Sequence, residues 1–337
     1  MSNTSDSIIA PATATAAPTT INIAVLDDYQ NVATTMADWS TLQPRARVVF
    51  FHDHVSDPAA LADRLADFDA VVLMRERTAF DKDLLARLPR LKLLVTVGMW
   101  NAAIDLAAAR ARGVLVSGTP GGERMATPTL TWALILAATR NIVTEATSVR
   151  AGAWQVGLGA DISGKTLGVL GLGNIGQAVA RIGQAFGMRT IAWSQNLTVE
   201  QAAQHGVEFV DKDALFKQAD VLTIHLKLGA RTRRLVDAPQ LALMKPNAWL
   251  VNTSRGPIVS DTALIATLQA RRIAGAALDV FDEEPLARNH PYRFLPNVLA
   301  TPHIGYVTEN TYRLAFPAIV EALDAWLNGA PIRLLEA

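Results

Sequence analysis

Three residues far apart in the chain have side chains that together could reduce a carbonyl: Arg255, Glu284 and His303. An arginine can hold a carboxylate with a bidentate fork and polarise the carbonyl beside it. A histidine titrates in the range needed to protonate a developing alkoxide. A carboxylate bonded to the far imidazole nitrogen orients that ring and favours its charged form. The set lacks only a hydride donor, which a nicotinamide cofactor would supply. The chemistry expected is reversible hydride transfer at C2 of a small 2-keto/2-hydroxy acid, with reduction as the working direction.

Each of these residues follows a predicted strand. Trp249–Asn252 leads into Asn252-Thr253-Ser254-Arg255-Gly256, Gly275–Leu278 into Asp279 and on to Glu284-Pro285, and Val298–Ala300 into Thr301-Pro302-His303-Ile304-Gly305. In a parallel sheet the loops after the strands share one edge, the edge where dinucleotides bind. The same series opens with the strand Thr166–Leu170, followed by Gly171-Leu172-Gly173-Asn174-Ile175-Gly176 and a helix over 177–186. Gly171 permits the tight turn, Gly173 lets backbone approach a pyrophosphate, and Gly176 allows close helix–strand packing. The helix start adds free N–H groups and the positive end of the dipole. An acidic residue usually takes the ribose hydroxyls at the end of the next strand. Here that strand runs into Ser194-Gln195-Asn196, and no Asp or Glu occurs between Gly176 and Glu200. The loss of a carboxylate removes its repulsion of a 2′-phosphate, yet no Arg or Lys stands beside Ser194; Arg189 begins the strand. The choice between NAD and NADP stays open, with a slight lean to NADP.

The elements that must position these loops form two α/β series. The first has strands over 21–26, 47–51, 70–74, 91–97 and 114–116, with helices near 59–65 and 82–88. Alternation of this kind means a parallel sheet. After the break Gly118-Thr119-Pro120-Gly121-Gly122 comes a long apolar helix over 129–150. A second series of six strands then includes 166–170, 189–193 and 221–225, and a last helix covers 309–327. The fold class expected is α/β, with two Rossmann-like doubly wound parallel sheets and a cleft between them.

The 337 residues suit two domains, and half are hydrophobic. Lys+Arg and Asp+Glu both total 31, so no broad field points to nucleic acid or an anionic membrane. The absence of cysteine excludes disulfides and thiolate chemistry. His52 and His54 read as an exposed strand end and Lys245 as a helix-end cation, and no metal is expected. No run of about 18 apolar residues occurs. The first 20 residues read as a disordered leader, not a signal peptide, and a cytoplasmic location is expected.

From about Ile21 onward the chain resembles the D-isomer-specific 2-hydroxyacid dehydrogenases, the group of phosphoglycerate dehydrogenase and the glyoxylate/hydroxypyruvate reductases. The resemblance lies in four runs in the family's order: 166–176, 243–257, 275–285 and 296–305. It implies that Arg255, Glu284 and His303 are the catalytic residues, 29 and 19 residues apart. It implies Asp279 as the ligand of the nicotinamide amide. Cofactor contacts then fall on Gly171, Gly173, Asn174, Ile175, Gly176, Ser194, Thr253, Ser254, Gly305 and Trp100. It implies a flavodoxin-like substrate domain, 21–119 plus 306–337, around a nucleotide-binding domain, 120–305. Backbone N–H groups at Gly98 and Met99 would meet the substrate carboxylate, and Arg75 and Arg77 resemble a second anion position. It also implies a homodimer, formed mainly through the helix 129–150, whose apolar content exceeds what one core face needs. Met99-Trp100 is bulkier than the family's usual glycine-rich turn, and Thr129-Leu130 stands where many members have Glu-His. A non-catalytic NAD(H)-sensing protein is the alternative of another class. Oxidation of a small anion is a third reading, though formate enzymes pair their His with Gln.

Overall fold

The computed structural model describes residues 20–336; the expected leader lies, but for residue 20, outside them. The described chain divides into two units, one running to Pro120 and resuming at Ala315, the other Gly121–Leu314.

The first unit contains β1 (Ile21–Val25), α1 (Ala33–Met36), β2 (Ala46–Phe50), α2 (Pro58–Leu65), β3 (Ala70–Leu73), α3 (Lys82–Ala86), β4 (Leu93–Thr96), α4 (Leu106–Ala111) and β5 (Leu115–Gly118). The strands pair in parallel in the order β2-β1-β3-β4-β5. β3 and β4 are buried along their whole length, as near-continuous apolar strands covered on both faces must be. Asp57, Asp81 and Asp105 start three of the helices by accepting the N–H groups of Ala60, Leu84 and Ala108. The outer edge of β5 is covered by the returning chain: Gly118 donates to Arg333 O (3.0 Å), Leu335 N to Val116 O (2.8 Å) and Ser117 Oγ to Ile332 O (2.7 Å).

The second unit contains α5 (Ala126–Thr139), α6 (Ile142–Arg150), β6 (Thr166–Leu170), α7 (Asn174–Ala185), β7 (Arg189–Trp193), α8 (Val199–Ala203), β8 (Glu208–Phe209), α9 (Lys212–Gln218), β9 (Val221–Ile224), α10 (Ala238–Leu243), β10 (Trp249–Asn252), α11 (Asp261–Gln269), β11 (Gly275–Leu278) and β12 (Val298–Ala300). A last helix, α12 (Glu309–Leu327), starts here and runs on into the first unit. The sheet order is β12-β11-β10-β9-β6-β7-β8, a doubly wound sheet whose direction of growth reverses at β6. The seventh strand, β8, has only two residues, too few to show a period.

The helix expected over 129–150 is two helices. Asn141 takes a left-handed conformation (φ 53°) between α5 and α6, which asparagine tolerates better than most residues. α5 is apolar because Trp132, Leu134, Ile135 and Ala138 are buried in the unit's own core. The apolar surplus lies instead on α6, where Ile142, Val143 and Val149 are exposed.

Both sheets are pinned at their amino edges by one device. Asp69 accepts the Asn22 N–H (3.0 Å) and pairs with Arg90 and Lys92. Asp220 accepts the Thr166 N–H (2.8 Å) and pairs with Lys245 (2.9 Å). Lys245 is thus a sheet-edge partner and not the helix-end cation its Met-Lys-Pro setting suggested. Burial pushes both carboxyls up, but these bonds outweigh it and hold them below the ordinary value of 3.8. Stabilisation from such groups is complete above the unfolded-state value and lost as pH falls through the folded one. Asp220→Asn is therefore expected to lower stability by about 1–3 kcal/mol at pH 7. The gap to wild type should narrow in urea titrations as pH falls below the ordinary carboxylate value of 3.8. A gap independent of pH would show that the charge contributes nothing.

Candidate active site

β6 is buried throughout and ends in the glycine turn. Gly171 has φ +104°, and a Cβ there would meet the His225 carbonyl oxygen at 2.8 Å. A Cβ on Gly176 would overlap the Gly171 carbonyl, so α7 can start flush against the turn only with glycine at that position. Above Gly173, by contrast, no atom from elsewhere in the protein crowds the place where a Cβ would stand. Gly173 caps α7 without a side-chain bond, and Asn174 and Ile175 are exposed. The first-turn N–H groups are thus left for a ligand, and the glycine leaves room for a pyrophosphate to reach them.

At the end of β7, Ser194 is half-buried and Gln195 and Asn196 are exposed. Arg189, at the opposite end of that strand, is engaged by Glu208 (2.7 and 3.0 Å) and Gln218 (2.9 Å). It is not a cation for this site. Just past β9, His225 shares a 2.9 Å bond with Thr223 Oγ1. Burial pushes its imidazole down to about 3, so the ring is neutral and lines the turn without charge. Ser254 Oγ donates to Leu226 O, which ties the loop after β10 to the loop after β9.

The three loops after β10, β11 and β12 come from neighbouring strands. Asn252, fully buried, folds the first of them back by donating to Arg255 O (3.0 Å) and accepting from Ser254 N (3.0 Å). Arg255 is half-buried and donates from Nη1 to Ser254 O (2.7 Å). Gly256 packs directly on the backbone of the next loop at Phe281 and Asp282. In that loop Glu284 accepts the Phe281 N–H through Oε1 (2.9 Å) and meets His303 Nδ1 through Oε2 (2.6 Å). The pair is mostly shielded, with side chains 13% and 20% accessible for His303 and Glu284. His303 itself is left-handed (φ 52°) and has the Tyr306 ring edge-on at 5.6 Å. With Nδ1 held by Glu284, Nε2 is the nitrogen left for exchange with a ligand.

Asp279 shapes the His303 loop. It accepts from Thr301 Oγ1 (2.6 Å), Ile304 N (2.9 Å) and Gly305 N (2.8 Å). Three of its roughly four acceptor positions are therefore used within the protein. Burial pushes its carboxyl above the usual range, against the pull of those bonds and of His303.

The residues expected to act from the first unit behave differently from one another. Gly98 has φ +93°, but its N–H donates to Thr119 Oγ1 (2.9 Å). In this arrangement that N–H is engaged inside the unit. Met99 and Trp100 are each 49% exposed. Arg75, left-handed at φ 57°, lays its guanidinium beside Gly98 and receives Asn101 Nδ2 on its carbonyl (2.8 Å). Arg77 is turned inward: it is buried, donates to Asp27 O (2.6 Å) and stacks 4.6 Å over Tyr29. Its guanidinium is thus engaged within the unit by Asp27 and Tyr29. His52 and His54 are not a plain exposed strand end. His54 Nδ1 pairs with the buried Asp27 (2.9 Å), which also accepts from Thr78 Oγ1 (2.6 Å). Residues that sequence reasoning passed over include Asn252, Thr127 and Thr131. Only the four-residue spacing of the two threonines at a helix start marks them.

Among the described residues no group of His, Asp or Glu is placed to hold a metal, and no helix is long and apolar enough to cross a membrane. A glycine turn at the switch point of a doubly wound sheet, with an uncapped helix start beyond it, defines the second unit as a dinucleotide-binding Rossmann domain. The model of the D-isomer specific 2-hydroxyacid dehydrogenase NAD-binding domain matches residues 132–305. The chain is 41% identical to a glyoxylate reductase of Aeropyrum pernix over 80% of its length and 83% of that protein's. It is 38% identical to a D-3-phosphoglycerate dehydrogenase of Methanocaldococcus jannaschii over 80% of its length, but it spans only 52% of that protein. The crystal structure of a phosphoglycerate oxidoreductase from Vibrio cholerae superposes with a TM-score of 0.87 at 40% identity, covering 92% of this chain and all of that one. The chain belongs to the D-isomer-specific 2-hydroxyacid dehydrogenases, and its second unit is the family's NAD-binding domain.

Proposed function

We propose that the protein is an NAD(P)-dependent D-2-hydroxyacid dehydrogenase that reduces a small 2-keto acid. The observation that carries this reading is the 2.6 Å bond between His303 Nδ1 and Glu284, with Nε2 left to exchange a proton. The bound nicotinamide supplies the hydride. Arg255 holds the substrate carboxylate and polarises the C2 carbonyl. His303 gives its Nε2 proton to the alkoxide oxygen as it forms, and Glu284 orients the ring through Nδ1. The uncapped start of α7 and Gly173 would hold the pyrophosphate, and Thr253, Ser254 and Asp279 would stand at the nicotinamide end. The inward turn of Arg77 removes one of two cations expected for a second anion. This favours glyoxylate or hydroxypyruvate over a phosphorylated acid.

For the cofactor we infer a preference for NADPH, because Ser194 stands where a carboxylate would repel a 2′-phosphate. Initial rates with NADH and NADPH against glyoxylate, hydroxypyruvate and phenylpyruvate test both points together. Ser194→Asp is expected to lower the NADPH/NADH ratio of kcat/KM by about tenfold or more. An unchanged ratio would remove Ser194 from the selectivity. Tight cofactor binding with no turnover on any keto acid would favour a sensing role instead.

The same reading makes the protein a homodimer. After α6 an arm exposes Trp154 (76%) and Leu158 (96%), yet it is held in shape by Gly157 N donating to Glu145 (2.7 Å) and Asn141 Nδ2 donating to Leu158 O (3.2 Å). Apolar surface kept exposed and ordered is characteristic of an interface.

A further inference from the structure

We propose that Thr127 and Thr131, one turn apart on α5, are positioning residues that tie the Arg255 loop to the His303 loop. The inference rests on the roles assigned above to Arg255 and His303. Thr131 Oγ1 donates to Thr127 O (2.9 Å) and lies 2.8 Å from Thr253 Oγ1. A hydroxyl has one proton, so with that proton on Thr127 O the bond to Thr253 must run the other way. Thr253 donates to Thr131, two residues before Arg255. Four residues earlier on the helix, Thr127 Oγ1 donates to Gly305 O (3.2 Å), two residues after His303. Gly305 N in turn donates to Asp279, which also gathers Thr301 and Ile304. The bonds form one path from the end of β10, through α5, to the turn that carries His303.

Thr131, Thr253 and Asp279 are buried, so water does not substitute for a lost partner along most of this path. The turn it holds needs holding. His303 has φ 52°, a conformation an L-residue keeps only when its surroundings over-determine it. The path also gives a role to two polar residues in the first turns of a largely apolar helix. Thr127 and Thr131 differ in what they hold, and so in what their loss does. Thr131 acts on the loop of the substrate cation, and Thr127 on the loop of the proton donor.

Thr131→Val, Thr127→Val, the double variant and Thr131→Ser are assayed with NADPH and glyoxylate beside His303→Ala. Thermal melting and NADPH fluorescence are read on the same preparations. Thr131→Val should raise KM for glyoxylate about five- to twentyfold with a smaller change in kcat, and Thr127→Val should lower kcat by a similar factor with KM nearly unchanged. Thr131→Ser should restore wild-type kinetics. The double variant should fall short of the product of the singles, as members of one network do. If His303→Ala retains turnover, the assignment of the site fails, and this inference with it. If His303→Ala is inactive while both valine variants keep wild-type KM and kcat, only the network is overturned. Equal losses in both variants that track melting temperature, with no rescue by serine, would show a merely structural role and overturn it too.

Discussion

His303→Ala is expected to lower kcat for keto-acid reduction by about 10²–10⁴-fold while NADPH binding stays within about threefold of wild type. The alkoxide formed by hydride transfer must take a proton, and alanine leaves only water to give it. Cofactor binding should be spared because the groups proposed to hold the pyrophosphate lie on the α7 turn, and Asp279 still organises its loop through Thr301, Ile304 and Gly305. Glu284→Gln sharpens the test. The Phe281 N–H fixes Oε1 of Glu284, so a glutamine would place its carbonyl there and turn its NH2 toward His303 Nδ1. That NH2 takes the place of an acceptor and so opposes a proton on Nδ1. A loss of about 10- to 100-fold is expected, smaller than for alanine because the ring keeps its position. Steady-state rates at saturating cofactor, with fluorescence titration of NADPH, measure both. Near-normal turnover by His303→Ala would falsify the acid–base assignment.

Gly256→Ala should damage stability and activity together. A Cβ at this position would overlap the Phe281 carbonyl and stand 2.5 Å from the Asp282 nitrogen. The atoms it meets are backbone, so no rotamer change relieves the clash. Phe281 cannot retreat without releasing the N–H that orients Glu284. Gly256 cannot retreat without moving Arg255, whose carbonyl is held by Asn252. Destabilisation of about 3 kcal/mol or more is expected, above the usual range for a surface glycine. Whatever protein folds should show a raised KM and a lowered kcat. Urea unfolding and rates on the soluble fraction check this, and a variant with wild-type stability would show that the two loops can separate freely.

How much of this was legible in the chain depended on where each instruction is written. The glycine turn and the strand that feeds it are local, so Gly171, Gly173 and Gly176 fell where their spacing placed them. The loops carrying Arg255, Glu284 and His303 could be aligned on one edge because parallel strands share an edge whatever their separation in sequence. Inward or outward direction at a strand end was not legible. Arg75 and Arg77 are two residues apart, yet one lies beside Gly98 and the other is drawn inward by Asp27 and Tyr29, a contact 50 residues away in the chain. The commitment of the Gly98 N–H to Thr119 is equally distant information. The break at Asn141 carries no glycine or proline, and an apolar run on both sides reads as one helix.

The first unit is written in two pieces, and this has a consequence for how the polypeptide is made. As synthesis proceeds, the stretch that covers β5, from Ile332 to Leu335, emerges well after β1 to β5. All of Gly121–Leu314 is translated in the interval. The second unit has its whole sheet available and can complete itself first, while the first waits with a bare strand edge. A bare edge is a template for pairing with another chain, and domains tend to fold as units in order of synthesis. Between the appearance of β5 and of its cover, the nascent chain thus carries an unprotected strand edge. That is the interval in which a chaperone would have an edge to shield.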